Sequence, residues 1–489
     1  MYKIDWNQYL SHERDRQSTR KVQEEGEVET LSIDSRNDFE SDLGRAIFSS
    51  AIRRMHDKAQ VMPLTSGDSM HTRLTHSLEV MSVAYSLGIN VCRNKQFIET
   101  YGKEESFELE QKLSSILKTA ALLHDIGNPP FGHFGESIIQ KYFKDYFEKV
   151  GQLIEESQKR DFTEFDGNAQ GFRVITKQQH IGDLNGLNLT FATLGAYVKY
   201  PNIDQRKKDR YIGNKKHGVY TSEREVFDKL VYNCGLKSTD GKIKRHPLSF
   251  LVEAADSICY NIMDVEDGLN KKWYTFDEVI NFLDSYLSKN NKATFSCVNF
   301  FQLQDKLSNA VLGDIDKSSK RKMIDFRICV IRYFVSLAVR NFIEHLEEID
   351  KGTYTQELIE DDENNISKAF QAFAQRYIFT REEIQKVELT GVTVITGLLD
   401  YLIDYVFNTD SQYRKRAKSV LSKNSLTVVL HELEYPDRTF FFLSDDDFCS
   451  YDLDKLDNYH KLRMIVDYIS GMTDKYALSL YRQLSGQVL

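Results

Sequence analysis

The sequence of 489 residues predicts a mainly α-helical protein, and three observations carry that expectation. Only six prolines occur, where an average chain of this length holds roughly 24. Proline is expelled from helix interiors because it lacks an N–H and clashes with the preceding turn. Apolar residues recur at spacings of three and four through most of the chain. Strand-like patterning is confined to SLTVVLHELEY and the following TFFFLSD, so one small β element is expected near 425–445.

In chain order, residues 1–35 are polar and charged and read as an arm with a short helix at most. Leu43, Ile47, Phe48, Ile52 and Met55 set a helical period across 38–59, and the loop VMPLTSGDSM follows. Leu74, Leu78, Met81 and Tyr85 mark a second helix that stops near Gly88. A third runs from Gln111 to Ile126 over Leu113, Leu117, Ala120 and Ala121. Gly127 ends it, and Pro129-Pro130 prevents a restart. A fourth begins near Gly135-Glu136 and carries Ile138, Ile139, Tyr142, Phe143 and Phe147.

Residues 150–245 read as an insertion with some helix and long loops, including FDGNAQGF and GDLNGLNLT. Strong helix returns at 247–268, several more helices fill 290–405, and a last one covers 456–484. With no repeat and no linker, the expectation is one large helical body. It comprises an arm (1–35), a core (36–290, with its insertion) and a helical C-terminal part (291–489) packed on that core.

Composition narrows the function classes. A hydrophobic share of 41%, with 26 tyrosines and 30 phenylalanines, is too rich for a disordered chain. Six scattered cysteines without a CxxC pair oppose a zinc ribbon or disulfide scaffold and suit reduced thiols. The N-terminal segment has no apolar core of signal-peptide length, and no run of 18 apolar residues occurs. A cytoplasmic protein without a membrane partner is expected. A net charge of −9 disfavours nonspecific duplex binding as the main role.

Polar, metal-competent residues interrupt three apolar helices. His124 falls on the face of Leu113, Leu117 and Ala120, so helix geometry points it inward, and Asp125 adjoins it. His76 follows Leu74 by two residues, and Asp256 sits among Val252, Ala255 and Cys259. A lone histidine in an apolar helix is more often a satisfied core residue. An adjacent His-Asp pair shifts the balance, because a buried carboxylate is costly unless paired or metal-bound. Two imidazoles and two carboxylates leave room for water in an octahedral shell, which suits Mg, Mn, Fe or Co. Spacing alone leaves a metal site and satisfied polar residues equally open.

His76, His124-Asp125 and Asp256 reproduce the H…HD…D order of the HD-domain metal-dependent phosphohydrolases. HDIGNPPFGHFGE (124–136) closely resembles the signature of the deoxyguanosine triphosphate triphosphohydrolase family within that superfamily. SSAIRRMHDKAQV (49–61), TRLTHSLEV (72–80), FDGNAQGFRVI (165–175) and DYISGMTDKYA (467–477) match the same family, so the resemblance spans nearly the whole chain. It implies a large HD-domain helical fold, with His76, His124, Asp125 and Asp256 holding Mg2+ or Mn2+. The implied reaction is attack of water at the α-phosphorus of a dNTP, dGTP favoured, releasing deoxynucleoside and tripolyphosphate.

In that family His133 is the candidate proton carrier at the leaving 5′ oxygen, and Glu136 holds its other nitrogen. Tyr260 packs on the deoxyribose from the face of Asp256, and Asp264 continues that face. Gln60 resembles a glutamine that reads the 3′-hydroxyl, Arg73 a phosphate contact, and Glu388 a residue near the base pocket. Lys215, Lys216 and Arg416 are candidate cations for the triphosphate. The resemblance also implies a homo-oligomer, often a hexamer, and single-stranded DNA as a regulator. Other readings are another HD-type nucleotide phosphodiesterase, or a non-catalytic nucleotide or single-stranded nucleic-acid binding regulator. The GHFGE extension and the breadth of the match weigh against both.

Overall fold

The computed structural model describes residues 2–16, 35–60, 71–179, 185–203, 211–238, 241–291, 319–434 and 443–487. The loop at 61–70, the start of the basic cluster 206–218, the boundary near 290 and residues 439–442 of TFFFLSD lie wholly or partly outside these ranges. The described protein is helical. Strand ladders are absent among the described residues, and isolated bridges pair Arg14 with Thr190, Ala59 with Thr72 and Lys237 with Ile243.

The N-terminal segment is docked rather than free. Helix α1 (Trp6–Tyr9) is capped by Asp5, whose side chain accepts from the Asn7 N–H. Ile4, Trp6 and Tyr9 are buried, and the Tyr9 carbonyl lies 3.0 Å from His246 Nε2. The helix expected across 38–59 is broken. Helix α2 (Asp38–Ile47) starts on an Asn37–Glu40 capping box, and Ser49 caps a separate turn at Ser50–Arg54. Helix α3 (Arg73–Cys92) runs through Gly88 instead of stopping there. A Cβ on Gly88 would come 2.9 Å from Leu117 Cδ1 of α4 (Lys103–Leu123), so the glycine permits close helix packing.

Helix α5 (Gly132–Val150) begins as soon as the diproline turn ends. Within 150–245, expected to hold some helix and long loops, the described residues include buried helices. Helix α6 (Gly167–Arg173) follows the Asp166 cap and is buried from Ala169 to Arg173, and every residue of α7 (Phe191–Tyr197) is buried. Helix α8 (Pro247–Asn270) starts with proline at its first position, where the missing N–H costs nothing.

Helices α9 (Ser319–Glu344), α10 (Ile366–Tyr377) and α11 (Glu382–Phe407) follow. The expected β element is helical over its described part. In α12 (Lys423–Glu434), Leu426, Val429 and Leu430 recur at three and four and are all buried, which overrides the β-branched composition. The last helix divides into α13 (Asn458–Ser470) and α14 (Asp474–Leu484), because Thr473 caps a new start.

Two apolar clusters form the interior. One joins α3, α4, α7, α8, α9 and α10, and the other joins α5 with α11 to α14. The C-terminal third therefore serves both. Helix α11 is long and apolar enough to cross a membrane by length and composition, with mean hydropathy 1.4 over its most apolar stretch. It packs here against α5, α13 and α14. Cys92, Cys234, Cys259 and Cys329 are buried and free, and Cys449 is exposed and free.

Candidate active site

The site forms where α3, the end of α4 and the middle of α8 meet. His76 lies in the second turn of α3, and the Thr72–Thr75 capping box places that turn. His124 is the C-cap of α4, where its Nδ1–H donates to the Ala121 carbonyl at 2.7 Å. A carbonyl only accepts, so this bond leaves the Nε2 lone pair free to face the cavity. Asp256 Oδ1 of α8 lies 3.1 Å from His76 Nε2 and 3.4 Å from His124 Nε2.

Asp125 Oδ2 accepts from Arg73 at 2.7 Å, and its Oδ1 accepts from the Asn128 amide at 2.5 Å. Candidate ligand atoms of His76, His124 and Asp125 lie within 4.8 Å of one another. His124 Nε2 is buried and makes no hydrogen bond. A buried lone pair among carboxylates is the environment a divalent cation satisfies, so the donor set fits such an ion.

Electrostatics follow from the same crowding. Burial opposes charge on His124, but Asp125 and Asp256 outweigh it and raise the imidazole to about 9, so a cation that took the Nε2 lone pair would displace a proton from it. Burial likewise opposes ionisation of Asp125, and Arg73 with the two histidines draws it down to about 2. Asp256 is held well below the carboxylate range, against its burial, by His124 and His76.

Arg73, His124, Asp125 and Asp256 border a cavity of about 880 Å³. His133, at the start of α5, presents its ring there with the side chain 75% exposed. Its Nδ1–H donates to Glu136 Oε2 at 3.0 Å, and the Glu136 charge raises the imidazole above its ordinary value. Glu136 is itself buried, and its Oε1 accepts the Gly167 N–H at 2.8 Å. That contact depends on glycine, since a Cβ on Gly167 would lie 2.1 Å from Asn128 Oδ1 and 2.7 Å from Glu136 Oε1.

Gln60, Arg73, Tyr260, Asp264, Lys215, Lys216 and Glu388 all line the same cavity. Gln60 Oε1 is buried without a hydrogen-bond partner among the described residues. Lys216 bonds Asp166 at 2.8 Å, and burial together with Asp267 raises the Asp264 carboxyl to about 7. Arg416 is the exception. It lies exposed on the short helix Ser411–Ala417, outside the lining, because only Ala417 of that helix is buried.

Other lining residues escaped the sequence reading. Lys199 lies 3.3 Å from Glu253, Gln371 donates to the Tyr260 hydroxyl at 3.4 Å, and Glu357 accepts from Ser257 at 3.2 Å. Burial and the neighbouring Glu253 raise Glu357 to about 7. None sits in a recognisable motif, and Glu357 and Gln371 meet partners about a hundred residues away.

The chain is similar to known proteins over most of its length. Residues 73–186 match the HD domain, and residues 449–483 match the phosphohydrolase-associated domain. A deoxyguanosinetriphosphate triphosphohydrolase-like protein of Listeria monocytogenes is 31% identical over 99% of this chain and 100% of its own. A like-named protein of Synechocystis is 32% identical over 99% of both chains. The deoxyguanosinetriphosphate triphosphohydrolase of an Enterobacter species is 30% identical over 91% of this chain and 93% of its own. With the HD site assembled and relatives aligned end to end, the chain belongs to the deoxyguanosinetriphosphate triphosphohydrolase family of the HD-domain phosphohydrolases.

Proposed function

We propose that this protein hydrolyses dGTP to deoxyguanosine and tripolyphosphate, with water attacking the α-phosphorus. The observation that carries the reading is the His76–His124–Asp125 group with Asp256 beside it, of which His124, Asp125 and Asp256 border the same cavity as His133, the partner of Glu136. Mg2+ or Mn2+ held by those four side chains would supply charge neutralisation at the α-phosphate and polarise water.

The residues of the chain do the rest. His133, kept protonated by Glu136, gives its proton to the departing 5′ oxygen, a poor leaving group without one. A triphosphate brings about four negative charges, and Arg73, Lys199, Lys215 and Lys216 line the cavity to meet them. Lys216 is partly committed to Asp166. Tyr260 packs on the deoxyribose, Gln60 reads its 3′-hydroxyl, Asp264 lines the cavity on the same helix face as Tyr260, and Glu388 accepts from the guanine edge. A homo-oligomer, hexameric by family habit, and a local groove for single-stranded DNA belong to the same reading.

Incubation with each dNTP and Mg2+ or Mn2+ tests it. Tripolyphosphate is expected, fastest from dGTP, with His124→Ala losing at least about a hundredfold in kcat. Release of pyrophosphate or orthophosphate, or unchanged turnover in His124→Ala, overturns it.

A further inference from the structure

The turn from Asn128 to His133 joins the HD dipeptide to the proposed proton donor, and the backbone bond within it runs from the Gly132 N–H to the Pro129 carbonyl at 3.1 Å. Pro129 and Pro130 have no N–H, so Phe131 offers the first backbone donor after Asn128. Phe131 also sits at φ 63°, in the left-handed region that a non-glycine residue keeps only where its surroundings enforce it.

The enforcing group comes from the far end of the chain. Asp474 Oδ1 accepts the Phe131 N–H at 2.8 Å, and Asp474 Oδ2 accepts the Ala59 N–H at 3.0 Å, one residue before Gln60. Beside it, Lys58 Nζ donates to the Asn128 carbonyl at 2.6 Å and to the Ser470 carbonyl at 2.8 Å. One carboxylate and one lysine amine, which burial lowers to about 7, thus tie three segments together: the catalytic turn, Lys58–Gln60, and the junction between α13 and α14. Both side chains are buried, and neither lines the cavity.

The opposite side of the turn is pressed against Arg73. A Cβ on Gly132 would lie 2.5 Å from Arg73 Nη2, and Arg73 holds Asp125. The turn is therefore clamped between the cluster at its front and Asp474 at its back. The Phe131 carbonyl accepts the Gly135 N–H at 3.3 Å, so the Phe131 conformation sets the first turn of α5, which carries His133 and Glu136.

We propose that Asp474, seconded by Lys58, is a positioning residue for His133, and that the phosphohydrolase-associated segment serves as the back wall of the catalytic turn. The proposal rests on reading His133 as the proton donor. Charge-assisted bonds from rigid, buried groups fix a backbone more tightly than neutral ones, and a displacement near 1 Å costs about a hundredfold in rate. Without Asp474, Phe131 relaxes out of the left-handed region and His133 moves relative to Asp125.

Asp474→Asn preserves shape but turns an amide NH2 toward one of the two N–H donors. In the full-length protein, kcat for dGTP is expected to fall about 10- to 100-fold with KM within about threefold. Amide exchange across 128–136 should rise while that of α3 and α4 stays as in the wild type. Thr473→Ala is the control. It removes the cap of the same helix, a 3.2 Å bond from the Tyr476 N–H, and should lower Tm with kcat retained.

Wild-type kcat and wild-type exchange in Asp474→Asn would overturn the proposal, as would an equal loss of kcat in Thr473→Ala. Where Asp474→Asn does not fold, Lys58→Met is read by the same two measurements. Failure of both variants to fold would make the pair structural and also overturn it. If the wild type releases no tripolyphosphate, the functional reading fails, while the exchange comparison still decides whether Asp474 and Lys58 hold the turn.

Discussion

His133 turns most of its ring to the cavity while its Nδ1 is tied to a carboxylate buried behind it. Exposure lets the ring meet a substrate, and Glu136 decides its charge. The imidazolium is favoured by that carboxylate, so His133 titrates above its ordinary value. Activity that needs the protonated ring is present below that pKa and fades as pH rises through it. Glu136→Gln removes the charge and keeps an acceptor for the Gly167 N–H. Its kcat–pH profile should lose activity on the alkaline side at lower pH than the wild type. An alkaline limb that stays in place would show that Glu136 does not tune the donor.

Among the elements, α6 is the one whose composition is hardest to explain by propensity. Three glycines frame it, because two backbones meet there: a Cβ on Gly127 would lie 2.0 Å from the Gly171 nitrogen and 2.2 Å from the Gly167 carbonyl. Gly171 in turn faces the Tyr197 hydroxyl, which donates to the Asn168 carbonyl. Gly171→Ala would bring a methyl 1.9 Å from that hydroxyl. The clash is expected to destabilise the protein by about 1–3 kcal/mol, read as a lowered urea midpoint. It should also lower kcat, since α6 supplies the N–H that fixes Glu136. A neutral result would mean that α6 has room to shift.

Across the whole molecule, the two apolar clusters are bridged by a buried polar knot. Arg173 at the end of α6 contacts Glu223 at 2.7 Å, Glu432 of α12 at 2.8 Å and Asp467 of α13 at 2.8 Å, all sequestered from solvent. Removing the guanidinium leaves Glu432 and Glu223 to Lys177, at 2.6 and 3.7 Å, and Asp467 to Arg463 at 2.8 Å, so Arg173→Met should cost about 3–5 kcal/mol at neutral pH. Glu432 and Asp467 are held below the carboxylate range by Arg173 against their burial. The stability they contribute is present above the unfolded pKa, about 4, and lost as pH falls through their folded values. The gap between variant and wild type should therefore narrow in acid. Denaturation at pH 7 and at steps from pH 4 down toward pH 2 checks both parts, and a gap that widens in acid would refute the assignment.

Much of the architecture was legible in the sequence, since helix formation is settled within three or four residues by periodicity and by caps such as Thr72 and Asn37. The metal candidates were legible too, because a polar residue on an apolar face stands out and HDIGNPPFGHFGE marks its own turn. Helix ends and partners were not. Gly88 reads as a stop until Leu117 packs over it, and SLTVVLHELE reads as strand until Leu426, Val429 and Leu430 are buried together. Lys199 and Glu357 carry no local signal, and Asp474, although it lies in the family-like DYISGMTDKYA, gives no local sign of its role, since what distinguishes each is a partner in a distant segment. Local contacts chose the helices and the chemistry they carry. Only long-range packing, by bringing position 474 against position 131, decided how that chemistry is held in place.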